Sequence, residues 1–254
     1  MTALGIAIAS FVFIFGGACA GAWLNGILPK HHLSDETRDI VRIGFSLIAT
    51  MVALVLGLLL ASAKSSLDVK SEEVRASAAR LILLDRNLRQ YGPEADPIRA
   101  QLRALAERSL NRHWVDTTTM AVDESVAVAG TTDLERMQRS LRELSPSTPE
   151  QRALQLRTLA IADDIAQTRW MLVEQVSGTI PWALVALLIF WLALTFASFA
   201  LFAPRNATVY ATMLLCAFSI AGAMFFIIEM DRPFGGLLHV SDAPLRSAIG
   251  YLRR

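Results

Sequence analysis

Apolar and polar positions in this chain are segregated into blocks rather than interleaved. Residues 2–29, 43–63, 176–203 and 207–228 carry no charged side chain. Each block is long enough to cross a hydrocarbon layer of about 30 Å at about 1.5 Å per residue. The pattern therefore predicts an all-α integral membrane protein with four transmembrane helices and a helical, water-facing domain between the second and third. The first block is not a signal peptide by its pattern: Met1-Thr2-Ala3 supplies no basic residue and the apolar run is too long. The predicted divisions are transmembrane helices one and two at 1–63, the helical domain at 64–175, helices three and four at 176–230, and a C-terminal tail at 231–254.

Within the spans, residue size carries the information. Span one places Gly5 and Ala9, Gly16 and Ala20, and Gly17 and Gly21 four apart, a spacing that lets two helix backbones approach closely. It reads as a packing helix. In span two, Ser46, Thr50, Ala53, Gly57 and Ala61 recur every three or four residues as one small, weakly polar stripe. That stripe either packs against another helix or lines a path through an oligomer. Ser34 is a candidate N-cap for this helix, with Asp35 and Glu36 in the favourable first turn. Span three has Pro181 near its start, Trp182 as an interfacial anchor and Trp191 as a packed residue. Only Pro204, Arg205 and Asn206 separate it from span four, which predicts a tight antiparallel hairpin.

No proline or turn signal lies between span two and Gln90, and Val74, Ala78, Leu81, Leu84 (or Asp85) and Leu88 recur at helical spacing. Span two is thus expected to project out of the bilayer and end at Gly92-Pro93. A second helix is expected from Pro97, capped by Asp96, through Leu102, Leu105, Leu110 and Trp114. Thr132 and Glu135 have capping-box spacing for a short third helix ending near Leu144. Thr148, Pro149 and Gln151 then fit the cap, first position and partner of a fourth. That helix carries Leu154, Leu156, Leu159, Ile161, Ile165 and Trp170 and is expected to merge into span three, so that two membrane helices enter the domain without a break.

Composition sharpens this division. The 254 residues are 54% hydrophobic, with a mean hydropathy of +0.43. Sixteen basic and seventeen acidic residues lie between Lys64 and Glu174, so the domain is charged but nearly neutral. A nucleic-acid partner is not expected, because phosphate binding needs a basic excess on one face. Cys19 and Cys216 both fall in apolar spans and read as small buried residues.

Catalytic and metal chemistry is not expected either. His31 and His32 are adjacent in the first loop, while His113 and His239 are isolated; no spacing suits a metal site. Gly16-Gly17 lacks the Lys-Ser/Thr of a phosphate loop, and no serine sits in a nucleophile elbow. Asp163-Asp164 and Glu72-Glu73 read as solvated surface. The spans hold no ionisable residue in their apolar cores, which weakens a proton-coupled transporter. No cofactor and no enzymatic activity are expected. One segment, Glu229 to Gly236, follows span four with Glu229, Asp231 and Arg232 close together. It reads as an interfacial helix terminator, or as a charged cluster at a pore mouth or subunit contact.

Three segments together carry a resemblance: Leu56 to Ser66, Leu81 to Arg86 followed by Tyr91-Gly92-Pro93, and Glu229 to Phe234. They resemble the bacterial bestrophin-like membrane domain family over nearly the whole chain. The likeness to bestrophins implies a pentameric, anion-conducting channel with four membrane helices per subunit and a largely helical cytoplasmic part. No bestrophin calcium clasp can be matched here, and Phe45 is the only ring in span two, so calcium gating is not expected.

Two functions follow as expectations. One is a homo-oligomeric ion channel with inorganic ions on a path lined by Ser46, Thr50, Ala53, Gly57 and Ala61, and with Glu229, Asp231 and Arg232 at its entrance. The other is a non-conducting membrane scaffold or signalling protein acting through the helical domain. Lys64, Lys70, Arg75, Arg169 and Arg232 on the domain side slightly outnumber Lys30, Arg38, Arg42 and Arg205 opposite. The positive-inside rule then places the domain and both termini in the cytoplasm, with the spans in the lipid of a bacterial inner membrane.

Overall fold

The computed structural model describes residues 3–29, 35–111, 124–174, 181–204, 206–231 and 236–254. Among them all regular structure is helical: α1 (Ala3–Ile27), α2 (Asp35–Tyr91), α3 (Asp96–Leu110), α4 (Glu124–Glu143), α5 (Pro149–Glu174), α6 (Trp182–Leu201), α7 (Ala207–Met230) and α8 (Ala243–Leu252). Four of these, α1, α2, α6 and α7, contain stretches long and apolar enough to cross a membrane. The chain divides into two compact units, one formed by Met1–Leu67 with Thr179–Arg232 and the other by Asp68–Gly178 with Pro233–Arg254.

In the first unit α1 packs against α6 and α7, and glycine is the reason it can. A Cβ placed on Gly17 or Gly21 would collide with the backbone of Ala193 or Ala197 on α6, whereas one on Gly16 would meet nothing within 4 Å. Two of the small residues noted in span one therefore press against a neighbouring backbone and a third does not. Asn25 adds a hydrogen bond from Nδ2 to the carbonyl of Ala203 (3.4 Å) near the far end of α6. Ile14, Ala18, Leu188, Leu192, Ala217, Met224 and Ile227 fill the interior. Trp191 packs against that cluster, and Trp182 is exposed at the first position of α6.

One expectation is overturned in this unit. Cys19 and Cys216 are exposed on the protomer surface rather than buried, because they lie on the sides of α1 and α7 turned away from the bundle. The expected merger of α5 into span three falls on residues 175–180, outside the described residues. Pro181 has ψ 111°, an extended conformation, and α6 starts only after it. A proline at the N-cap supplies no amide to a preceding turn, so it is a natural boundary. Asn206 caps α7 by accepting from the Val209 amide (2.9 Å).

The second unit has its own core. Leu81, Leu84 and Leu88 of α2 meet Ile98, Leu102 and Ala106 of α3, Leu134, Met137 and Leu141 of α4, Ala162 of α5, and Leu245, Ile249 and Leu252 of α8. α2 runs unbroken for 57 residues, about 85 Å at about 1.5 Å per residue. It stops at Gly92, whose φ of 123° a side chain would resist. Thr148 caps α5 by accepting from the Gln151 amide (3.1 Å), as its spacing predicts. Gln151 returns the favour one residue upstream, its Oε1 accepting from the Ser147 amide (2.9 Å). The same side chain donates from Nε2 to the Tyr91 carbonyl at the end of α2 (2.9 Å).

Two caps differ from expectation. Asp96 does not cap α3, because a 3-10 turn over Pro93–Ala95 precedes it and Ala95 takes the cap position. Its carboxylate instead accepts from Arg99 (3.1 Å). Thr132 lies well inside α4, which starts at Glu124, so the Thr132–Glu135 box is not a helix start. Ser34, Trp114 and the side chain of Trp170 fall outside the described residues.

Candidate functional site

α2 is the least covered of the four spans. Within the protomer only 11% of its most apolar window is buried, against 33% for α1, 39% for α6 and 28% for α7. Its residues sort into three faces. Val52, Leu59 and Ala63 are buried, with Ile48, Val55 and Leu56 partly so. Ile40, Ile43, Leu47, Leu54 and Leu58 are large, apolar and exposed. Ser46, Thr50, Ala53, Gly57 and Ala61 are exposed as well, and centre roughly 150° away from the buried face at about 100° per residue. A Cβ on Gly57 would meet nothing within 4 Å. The small stripe is thus not used for packing inside the protomer.

Its chemistry is that of two hydroxyls on a smooth helix surface. Ser46 Oγ donates to the Ile43 carbonyl (2.8 Å), and Thr50 Oγ1 donates to the Ser46 carbonyl (2.9 Å). Both hydrogens are therefore committed to backbone, and the oxygen lone pairs remain available. Rotating either hydroxyl outward frees a donor at the cost of one intrahelical hydrogen bond. Ala53, Gly57 and Ala61 add no polar group and leave open space beside the helix.

Of the three candidates at the end of span four, Glu229 and Asp231 differ in burial. Glu229 is 5% exposed, in the last turn of α7 beside Ile228, which packs with Ala3 and Ile6 of α1. Asp231 follows as the C-cap of α7 and is half-buried, its Oδ1 buried with no hydrogen-bond partner among the described residues. Arg232 lies outside the described residues. The stripe and this segment are far apart in sequence, and each stands as its own feature.

The domain contains a polar cluster that sequence reasoning gave only as an alternative to Leu84. Asp85 is 1% exposed and accepts from Arg99 Nε and Arg89 Nη2, both at 2.9 Å. The hydrogen bond that Arg99 donates to Asp85 holds the Arg99 pKa above its usual value, against the burial that lowers it. Arg89 also stands over the Tyr251 ring of α8, 5.7 Å from its centroid. Burial raises the Tyr91 pKa, with a further contribution from the charge of Glu94. Asp163 and Asp164 are exposed, as expected of solvated acids, and each also has a partner: Asp163 accepts from the buried Gln138 (2.9 Å), and Asp164 pairs with Arg80 (2.6 Å).

Among the described residues no three His, Cys, Asp or Glu side chains are placed to hold a metal ion. His239 lies 3.3 Å from the Gly236 carbonyl, and His31, His32 and His113 are outside the described set.

Comparison with known proteins places this architecture. Crystal structures of a bacterial bestrophin homologue from Klebsiella pneumoniae have the same fold. A tryptophan-to-alanine variant superposes with a TM-score of 0.69 at 17% identity, over 99% of this chain and 97% of that one. The zinc-phased structure gives 0.66 at 16% identity, over 97% and 95%. None of the curated proteins matches the sequence. The sequence profile of the bestrophin-like domain does match, over residues 12–245. With four membrane-crossing helices, an all-helical fold and that match over most of its length, the chain belongs to the bestrophin-like family of membrane proteins.

Proposed function

We propose that this chain is the subunit of a homo-oligomeric ion channel in which α2 lines the path. The observation that carries the reading is the uncovered stripe of Ser46, Thr50, Ala53, Gly57 and Ala61, set apart from the face that α2 buries in its own protomer. A membrane helix gains little by exposing hydroxyls and glycine to lipid. Small residues earn their place where backbones approach or where a pathway must stay open. The large apolar face of Ile43, Leu47, Leu54 and Leu58 suits lipid or a neighbouring subunit.

Closed rings are the common solution for identical subunits, and the family resemblance favours five. It also favours anions, for which Ser46 and Thr50 would turn their hydroxyls outward. Glu229, Asp231 and Arg232 belong, on this reading, to an entrance or a subunit contact. The burial of Glu229 supports a contact, and the greater exposure of Asp231 suits an entrance. The balance of basic residues supports a cytoplasmic domain in a bacterial inner membrane. The activity is passive conduction, without a bond-making step.

Ion flux through purified protein in liposomes tests this, with oligomer size followed in parallel. Thr50→Trp is expected to abolish a flux seen in wild type while leaving the oligomer intact. An intact, inserted oligomer that passes none of several anions and cations would instead favour the scaffold or signalling alternative. A flux unchanged by Thr50→Trp would take α2 off the conduction path while leaving conduction itself in place.

A further inference from the structure

α8 is ten residues long and packs on α3. Leu245, Ala248, Ile249 and Leu252 are buried. Their combined burial is comparable to the conformational entropy lost in ordering ten residues, so apolar contact alone does not decide whether α8 is docked. The polar contacts decide it. Arg103 of α3 donates from Nη2 to the Leu252 carbonyl, where the helix dipole and orphan carbonyls favour a cation. Arg253 pairs with Glu107 one turn further along α3 (2.8 Å). Arg89, anchored by the buried Asp85, stands over Tyr251.

This docking is not fully compensated. Arg103 Nε is buried with no hydrogen-bond partner among the described residues, a desolvation penalty carried by the docked state. The Arg253–Glu107 pair is well exposed, 64% and 39% for the two side chains, and is therefore screened by salt.

We propose that α8 is a releasable strap: it leaves α3 as a unit while the rest of the domain core stays folded, and its occupancy is set by the Arg103, Glu107 and Arg89 contacts at its last turn. Release would uncover the apolar surface of α3 that Leu245, Ile249 and Leu252 cover. The proposal concerns the helical domain alone and does not depend on the channel reading.

Thiol labelling of the full chain in detergent tests it. Cys19 and Cys216 are first replaced by alanine, and Ala248→Cys is introduced at a buried position of α8. Leu141→Cys, fully buried on α4, reports opening of the core itself. Position 248 is expected to react with a soluble maleimide at least ten times faster than position 141. Glu107→Gln, Tyr251→Leu and raised salt should each accelerate labelling at 248 several-fold and leave 141 unchanged. Both outer substitutions lie at the surface, so they test the strap without unfolding the core. Equal rates at 248 and 141, or a rate at 248 indifferent to all three changes, would overturn the proposal.

Discussion

The two compact units are built on opposite principles. In the membrane unit, α1 reaches α6 because Gly17 and Gly21 have no side chain, and the interior is filled by aliphatic groups. In the domain, an aliphatic core is laced with groups that need partners: Asp85 with two arginines, Gln138 with Asp163, Gln151 with Tyr91. Lipid supplies no hydrophobic driving force between helices, so shape has to hold them. Water supplies that force to the domain and leaves specificity to polar contacts. One unit is vulnerable to added atoms and the other to lost charge.

The largest effect is expected from adding atoms to the membrane unit. Gly21→Val places carbon inside the backbone of Ala197, and overpacking of this kind exceeds the usual range of about 1–3 kcal/mol. Folded, monodisperse protein should be lost from detergent extracts, while Gly16→Ala extracts normally. If both behave alike, close α1–α6 packing is not what holds the unit.

Removing charge should break the domain. Asp85→Asn leaves the mostly buried Arg99 with only the exposed Asp96 as a carboxylate partner, for a cost at the low end of about 3–5 kcal/mol by chemical denaturation. The double change Asp85→Leu with Arg99→Met should recover most of that loss. Equal instability of single and double variants would mean that the pair contributes attraction rather than avoiding an orphaned charge.

A smaller loss sharpens the comparison at a single helix end. Thr148→Ala removes the acceptor for the Gln151 amide and should cost about 1 kcal/mol. The smallest stability effect belongs to Gly57→Ala, where the added methyl meets open space within the protomer. Thermal stability should change by less than about 1 kcal/mol, while flux in liposomes falls if the stripe lines a path.

How far could these features be read from sequence? The spans were legible because charge-free runs of that length have few other uses. The fourfold spacing of Gly17 and Gly21 was legible as close packing, although the spacing alone could not choose between them and Gly16. The Thr148-Pro149-Gln151 start was plain for the same reason that it works, since cap, proline and partner are local. Asp96 and Thr132 misled because a cap depends on where the preceding backbone goes, which spacing does not state. Asp85 was hidden in an apolar run, and its partners Arg89 and Arg99 lie on both sides of the Gly92 break.

The α8 helix had a signal that went unused. Asp242 stands just before Ala243-Pro244, and Leu245, Ala248, Ile249 and Leu252 keep helical spacing. The α2 stripe shows the opposite limit. Its residues were visible at once, but whether they faced a neighbour within the protomer depended on which side of the helix the bundle used.

Gln151 has a bearing on how the domain is assembled in time. Its amide joins the first turn of α5 to the last carbonyl of α2, sixty residues earlier in the chain. Closing a loop of that length exacts its entropy before the contact repays any of it. The local half of the arrangement, Thr148 with the Gln151 amide, can form as soon as α5 nucleates. The distant half must wait until the intervening chain has collapsed. A single side chain is thus recruited early for one helix and late for another, which makes it a natural reporter on the order of folding.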